Sequence, residues 1–169
     1  VATVVRNASS LEMDGIELEL MYQVTEAWDL MVTYGYLKSE YANYFADLTG
    51  DGIITDNSNL VPRNTPENTF GITTSYTTQI GNGELKGRVS YRFRDEMESE
   101  SQNRPEGSLD SIENVNATIS YSVENYSITA WGRNLTDERE QRWSTIGGLT
   151  SRGWWNEPQT LGVTFKVSY

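Results

Sequence analysis

Seven stretches of this sequence change from apolar to polar and back at every residue, and no stretch of similar length follows the helical period. A strand points successive side chains to opposite faces, so this alternation predicts a sheet whose two faces meet different surroundings. In "IELELMYQV", Ile16, Leu18, Leu20, Tyr22 and Val24 share one face, and Glu17, Glu19, Met21 and Gln23 the other. "LMVTYGY" aligns Leu30, Val32, Tyr34 and Tyr36, and "FGITTSY" aligns Phe70, Ile72, Thr74 and Tyr76. In "LKGRVSYRF", Leu85, Gly87, Val89, Tyr91 and Phe93 oppose Lys86, Arg88, Ser90 and Arg92. "VNATISYSV", "YSITAWG" and the closing "TLGVTFKVSY" repeat the pattern, the last with Tyr169 as part of it. The fold class is all-β.

The connections between these strands alternate in length. "TEAWD", "IGNGE" and "EN" are hairpin-sized, and the glycines flanking Asn82 permit the positive φ of a tight turn. The other three, roughly residues 38–68, 95–113 and 134–157, are long. In an antiparallel up-and-down sheet this order puts every tight turn at one end and every long loop at the other. Transmembrane barrels have that asymmetry, with short periplasmic turns and long extracellular loops. Tyrosines and Phe93 lie near the strand ends of the apolar faces, where amphipathic rings rest at headgroup depth. A soluble sandwich explains the alternation as well, but not the segregation of the loops, so the membrane barrel is preferred.

Composition narrows the function. No run of 18 apolar residues exists and mean hydropathy is −0.56, which excludes a membrane-spanning helix. "VATVVRN" opens in mid-pattern and lacks the form of a secretory signal. A net charge of −11 argues against nucleic acid. With neither cysteine nor histidine, thiolate metal sites and the usual nucleophile–imidazole systems are excluded, so an enzyme is not expected.

The ordered set "DGIELEL", "YGYLKSEY", "VPRNTPENTFGITTSY", "YRFRDE", "ITAWGRNLTDERE" and "EPQTLGVTFKVSY" resembles the C-terminal part of TonB-dependent outer-membrane receptors. The resemblance implies about seven C-terminal strands of a barrel of about 22 strands, with residues 1–169 as one segment that holds neither plug domain nor signal peptide. It implies an active transporter for a scarce ligand such as a ferric siderophore, cobalamin or an oligosaccharide. It also implies these partners: outer-membrane lipid, the plug and N-terminal strands, the TonB energy-coupling complex and the barrel assembly machinery. Thr160, Gly162, Phe165, Val167 and Tyr169 resemble the signal that this machinery reads. The other reading is a complete small outer-membrane barrel with a structural or adhesive role.

Three groups of residues are candidates for function. Lys86, Arg88, Arg92 and Arg94 form a cationic row on the lumenal face, suited to an anionic ligand or acidic plug residues. The simpler expectation is that they pair with the lumenal acids Glu17 and Glu19. Trp143, Trp154 and Trp155 in the last long loop could stack on a sugar or an aromatic siderophore, though the outer girdle or loop packing is favoured. Asp47, Thr49, Asp51 and Ile53 occupy positions 1, 3, 5 and 7 of a calcium loop, with Gly52 at position 6. Ser58 stands where the last carboxylate belongs, so Asp56 would have to substitute, and a solvated acidic turn is the favoured reading.

Overall fold

The computed structural model describes residues 10–147 and 150–169. The "VATVVRN" stretch lies outside the described residues. The elements in chain order are β1 (Leu11–Thr25), β2 (Trp28–Tyr41), β3 (Phe45–Ala46), β4 (Thr55–Asp56), β5 (Asn68–Ile80), β6 (Gly83–Arg94), β7 (Met97–Glu98), β8 (Ser108–Leu109), β9 (Ile112–Val123), β10 (Tyr126–Arg133), β11 (Gln141–Gly147), β12 (Thr150–Trp155) and β13 (Thr160–Val167). Seven of them form one antiparallel sheet in the order β1-β2-β5-β6-β9-β10-β13. The other six pair as small hairpins within the three long loops. In β3, β4, β7 and β8, two residues are too short a pattern to distinguish a hairpin from irregular loop.

The pairing register carries the apolar face of each strand onto that of the next. Leu18 lies opposite Tyr34, Tyr34 opposite Phe70 and Phe70 opposite Phe93. One row nearer the tight turns, Leu20, Val32, Ile72, Tyr91 and Val115 follow one another across five strands. Shifting any strand by one residue would bring its polar set onto this face, so the pattern itself selects the register. The tight turns are two residues long. Gly81 and Glu124 adopt φ of +61° and +49°, the left-handed conformation that such hairpins need.

Among the described residues this sheet has no second layer. Among the described residues the buried apolar side chains are Tyr44 and Leu109, and both belong to the loops. Leu18, Leu161, Val163 and Phe165 are each more than 60 % exposed, on a face that runs unbroken over seven strands. The sandwich alternative needs a facing sheet, and the described residues supply none. An apolar surface of this extent has to be covered, and hydrocarbon covers it without loss because every interior strand already satisfies its backbone. No helix is long and apolar enough to cross a membrane; the strands are the spanning elements. Among the described residues β1 and β13 keep open outer edges, so the sheet is an arc rather than a closed barrel.

Aromatic rings border the apolar face in two bands. Near the tight turns are Tyr22, Trp28, Tyr76, Tyr121, Tyr126 and Phe165, with Tyr126 and Phe165 stacked at 6.1 Å. Near the loops are Tyr34, Phe70, Tyr91 and Phe93, with Phe70 and Tyr91 also 6.1 Å apart. Phe70 and Tyr76 are six residues apart on β5, about 20 Å of strand, which suits the hydrocarbon band of an outer-membrane barrel. Tyr34 donates its hydroxyl to Asn68 Oδ1 at 2.8 Å and Tyr121 to the Ile80 carbonyl at 3.0 Å, so each of these rings on this face has its polar tip satisfied.

Candidate functional site

The polar face is where the chain can meet anything other than lipid. Strand β6 crosses its middle and presents Lys86, Arg88, Arg92 and Arg94. Arg88 stands between Ser75 and Thr118, and Arg92 between Gly71 and Asn114. Glu17 and Glu19 stand on the same face at β1, opposite Gly35 and Thr33. The expected pairing of these acids with the cationic row is not made. Strands β1 and β6 are three spacings apart, about 14 Å, and β2 and β5 lie between them. Among the described residues Lys86, Arg88 and Arg92 form no ion pair.

Arg94 is held by the loops instead. Its Nη2 lies 3.3 Å from Glu140 Oε1 and donates to the Asp110 carbonyl at 3.1 Å, while Nη1 donates to the Asp95 carbonyl at 2.9 Å. Both side chains of the pair are largely buried, at 15 % and 11 % exposure. The last long loop is thereby drawn over the polar face of β6.

Asn134 organises the base of that loop and is 4 % exposed. Its Nδ2 donates to the carbonyls of Glu138 at 2.9 Å and Glu157 at 3.0 Å. Its Oδ1 accepts from Thr136 at 3.1 Å and Asn114 at 3.3 Å. Its φ of +48° and the +51° of Asp137 turn the chain at both ends of "NLTD". Asparagine and aspartate tolerate the left-handed conformation and hydrogen-bond to nearby backbone, which suits both positions to this turn.

Beyond this hub, β11 and β12 stand as a hairpin. Ser144 is 1 % exposed and donates to the Glu106 carbonyl at 2.7 Å, while Ser99 donates to the Ser144 carbonyl at 3.0 Å, which fixes the hairpin to the middle loop. Trp143 and Trp154 face each other across it with centroids 5.4 Å apart. These rings, with Trp155, therefore belong to the loop hairpin and not to the girdle. Trp154 and Trp155 remain 73 % and 63 % exposed.

In the first long loop Asp47 closes a turn on itself. Oδ1 accepts from the Gly50 amide at 2.6 Å and from the Thr49 hydroxyl at 3.4 Å, and Oδ2 accepts from the Gly52 amide at 2.8 Å. Gly50 and Gly52 have φ of +80° and +87°, which only glycine adopts freely. Asp51 accepts from the Ile53 amide, and Asp56 from the amide and hydroxyl of Ser58. Among the described residues no three acidic side chains gather to hold a metal ion. The amides of Gly52 and Gly50 hold the Asp47 carboxyl below its ordinary range. A depressed folded value contributes order that is present above the unfolded value, about 3.9 for Asp, and is lost as pH falls through the folded one. Limited proteolysis at residues 47–58 is therefore expected to accelerate on acidification through that window. In Asp47→Asn cutting should be fast at every pH, and a wild-type rate independent of pH would refute the turn's role.

The closing strand also differs from expectation at its end. β13 stops at Val167, opposite Tyr126, because β10 starts there and the ladder runs out. Tyr169 lies beyond the sheet and is fully exposed. Phe165 and Val167 sit on the apolar face, and Thr160 and Gly162 on the polar face. Sequence reading missed what covers Gly162. The indole of Trp131 lies against its Cα, where a Cβ would collide with Cε2 at 2.5 Å. Trp131 donates its Nε1–H to Thr164 at 3.1 Å, and the Arg133 guanidinium rests 5.3 Å from the ring centroid.

A one-layer antiparallel sheet, apolar and aromatic-banded on one face, polar on the other and looped at one end, defines the wall of an outer-membrane β-barrel. The family described as TonB dependent receptor-like, beta-barrel, matches residues 1–135, and the chain belongs to it. Receptors of this family stand in the outer membrane of Gram-negative bacteria and are not enzymes. Similar folds are found in the ferric yersiniabactin uptake receptor FyuA from Yersinia pestis, with a TM-score of 0.77, 16 % identity, and 96 % of this chain matched to 24 % of that one. The siderophore receptor PiuA from Acinetobacter baumannii gives 0.72 and 22 % identity, covering 92 % and 21 % of the two chains. The ferric preacinetobactin receptor BauA from Acinetobacter baumannii gives 0.69 and 18 %, covering 95 % and 22 %. The chain spans about a quarter of the length of these receptors.

Proposed function

We propose that this segment supplies barrel wall and three extracellular loops to an active transporter that takes up a scarce ligand, with ferric siderophores as the first class to test. The observation that carries the transporter reading is the sheet itself, lipid-suited on one face and wet on the other, with all long loops at one end. The likeness to siderophore receptors supports the ligand class. The plug would stand against the polar face, TonB would act through the plug, and the barrel assembly machinery would insert the barrel, reading the residues around β13. The small self-closed barrel is disfavoured because β1 and β13 do not pair with each other among the described residues.

The test is transport. Deleting the receptor that carries this segment should abolish energy-dependent accumulation of at least one labelled ferric siderophore, and restoring it should return the uptake. Unchanged uptake across siderophores, cobalamin and oligosaccharides would sink the reading. The first loop, in this proposal, keeps its shape without calcium, since its own amides satisfy Asp47 and Asp51. Proteolysis at residues 47–58 should then proceed equally with calcium and with chelator. Protection by millimolar calcium that disappears in Asp51→Ala would establish an ion site instead.

A further inference from the structure

Alternation excludes a slip of one residue between β10 and β13, because that would exchange the two faces of the strand. A slip of two is another matter, since it returns every side chain to the face it left. Leu161, Val163, Phe165 and Val167 would still lie on the apolar face, where hydrocarbon fills any gap between them. Tight turns fix the register of β1 on β2, of β5 on β6 and of β9 on β10. Strands β10 and β13 are instead joined by residues 134–159, a connection long enough to accommodate either slip.

The polar face of this pair is less permissive. Trp131 stands opposite Gly162, the one position on that face of β13 without a side chain, between Thr160 and Thr164, with Lys166 beyond. The indole fills the space that a side chain at Gly162 would take, since a Cβ there would come within 2.5 Å of Cε2 and 2.8 Å of Cη2. Its Nε1–H donates to Thr164 Oγ1 at 3.1 Å. A slip of two in one direction would put Thr164 under the ring and the Lys166 ammonium, which cannot accept, at its nitrogen. The opposite slip would put Thr160 under the ring and leave Gly162, with no side chain, at the nitrogen. Either one loses both contacts. Arg133, 5.3 Å from the ring centroid, sits on β10 and travels with the ring, so it favours no register. The discriminating contacts join two strands of this chain and need nothing from the lumen.

We infer that Trp131 and Gly162 form a ring-and-notch lock that selects one register for β13. Its consequence is closure of the barrel. A slip of two would move β13 by about 7 Å along β10, and a barrel closes only when the stagger of its strands adds up to a fixed value. Any strand that pairs with the outer edge of β13 would then be out of step. Trp131 is thus a positioning residue for the barrel wall, and it lies outside the residues that resemble the assembly signal. The lock holds for any ligand, so uptake experiments judge the transporter reading separately.

The test reads the register by disulfide cross-linking in the whole receptor, and this chain brings no cysteine of its own. Lys166→Cys stands opposite Ser127→Cys in the observed register, and would oppose Thr129→Cys or Asn125→Cys after a slip of two. Diagonal neighbours are about 7–8 Å apart, past the reach of a disulfide, so each pair reports one register. Cross-linking to Ser127→Cys should exceed either slipped pair by at least about tenfold. Trp131→Ala should cut that ratio by about tenfold, the combined worth of a ring contact and a hydrogen bond. Trp131→Phe, which keeps a ring but no donor, should fall between. Gly162→Thr should lower the yield of folded receptor, read as heat-modifiable mobility. Adding Thr164→Gly moves the notch by two residues, and should restore folding and transfer the cross-link from Ser127→Cys to Thr129→Cys. That transfer separates the lock from recognition of the assembly signal, because the moved glycine departs from the signal. An unchanged cross-linking ratio in Trp131→Ala would overturn the inference. So would an added Thr164→Gly that neither restores folding nor moves the cross-link.

Discussion

Val89→Arg should destabilise the folded barrel by about 2–4 kcal/mol, whereas Ser90→Arg should cost less than about 1 kcal/mol. The two residues are neighbours on β6 and differ only in the face they occupy. Val89 lies between Thr74 and Ala117 on the apolar face, near the middle of the strand and between the aromatic bands. A guanidinium there would sit in hydrocarbon, too deep to reach the headgroups at full charge without distorting the bilayer. Ser90 lies between Thr73 and Asn116 on the polar face, beside arginines that water already solvates. Urea titration of the receptor folded into lipid vesicles measures both. Equal losses would show that the faces are reversed or that the sheet does not span the membrane.

Asn134→Ala should cost about 3 kcal/mol, because it strips several partners at once. The carbonyls of Glu138 and Glu157 lose their donor, and the Thr136 hydroxyl and Asn114 amide lose their acceptor, in a place closed to water. The left-handed backbone adds roughly 1–2 kcal/mol for alanine, which glycine avoids. Asn134→Gly should therefore be milder than Asn134→Ala by about that amount, while both release the base of the last loop. Faster proteolysis within residues 134–159 reports the release, and the urea midpoint reports the cost. If alanine and glycine are equally harmful, the backbone conformation is not what asparagine supplies. If neither matters, the hub is incidental.

The last loop is the part of the receptor on which these contacts converge. Arg94 brings Glu140 down onto β6, Asn134 gathers the loop's two ends, and Ser144 ties its hairpin to the middle loop. Trp143, Trp154 and Trp155 ride on the same hairpin.

Local pattern determined the faces, the strand count of the sheet and the end at which the loops lie. Each of these depends on neighbours two residues apart or on the length of one connection, as with Leu18 and Leu20, or with Gly81 and Glu124 in their turns. The membrane setting was legible for the same reason, since the apolar face repeats in every strand and the long loops all fall at one end. Which polar residues stand together was decided only by tertiary structure. Glu19 and Arg92 share a row because of the combined register of three strand pairings, and the same geometry holds them too far apart to pair. Arg94 meets Glu140 across 46 positions of chain, and Trp131 meets Gly162 across a loop whose length says nothing of its path. A period encodes direction relative to a sheet, and it carries no information about what lies several strands away. Those distances exist only once the strands have paired.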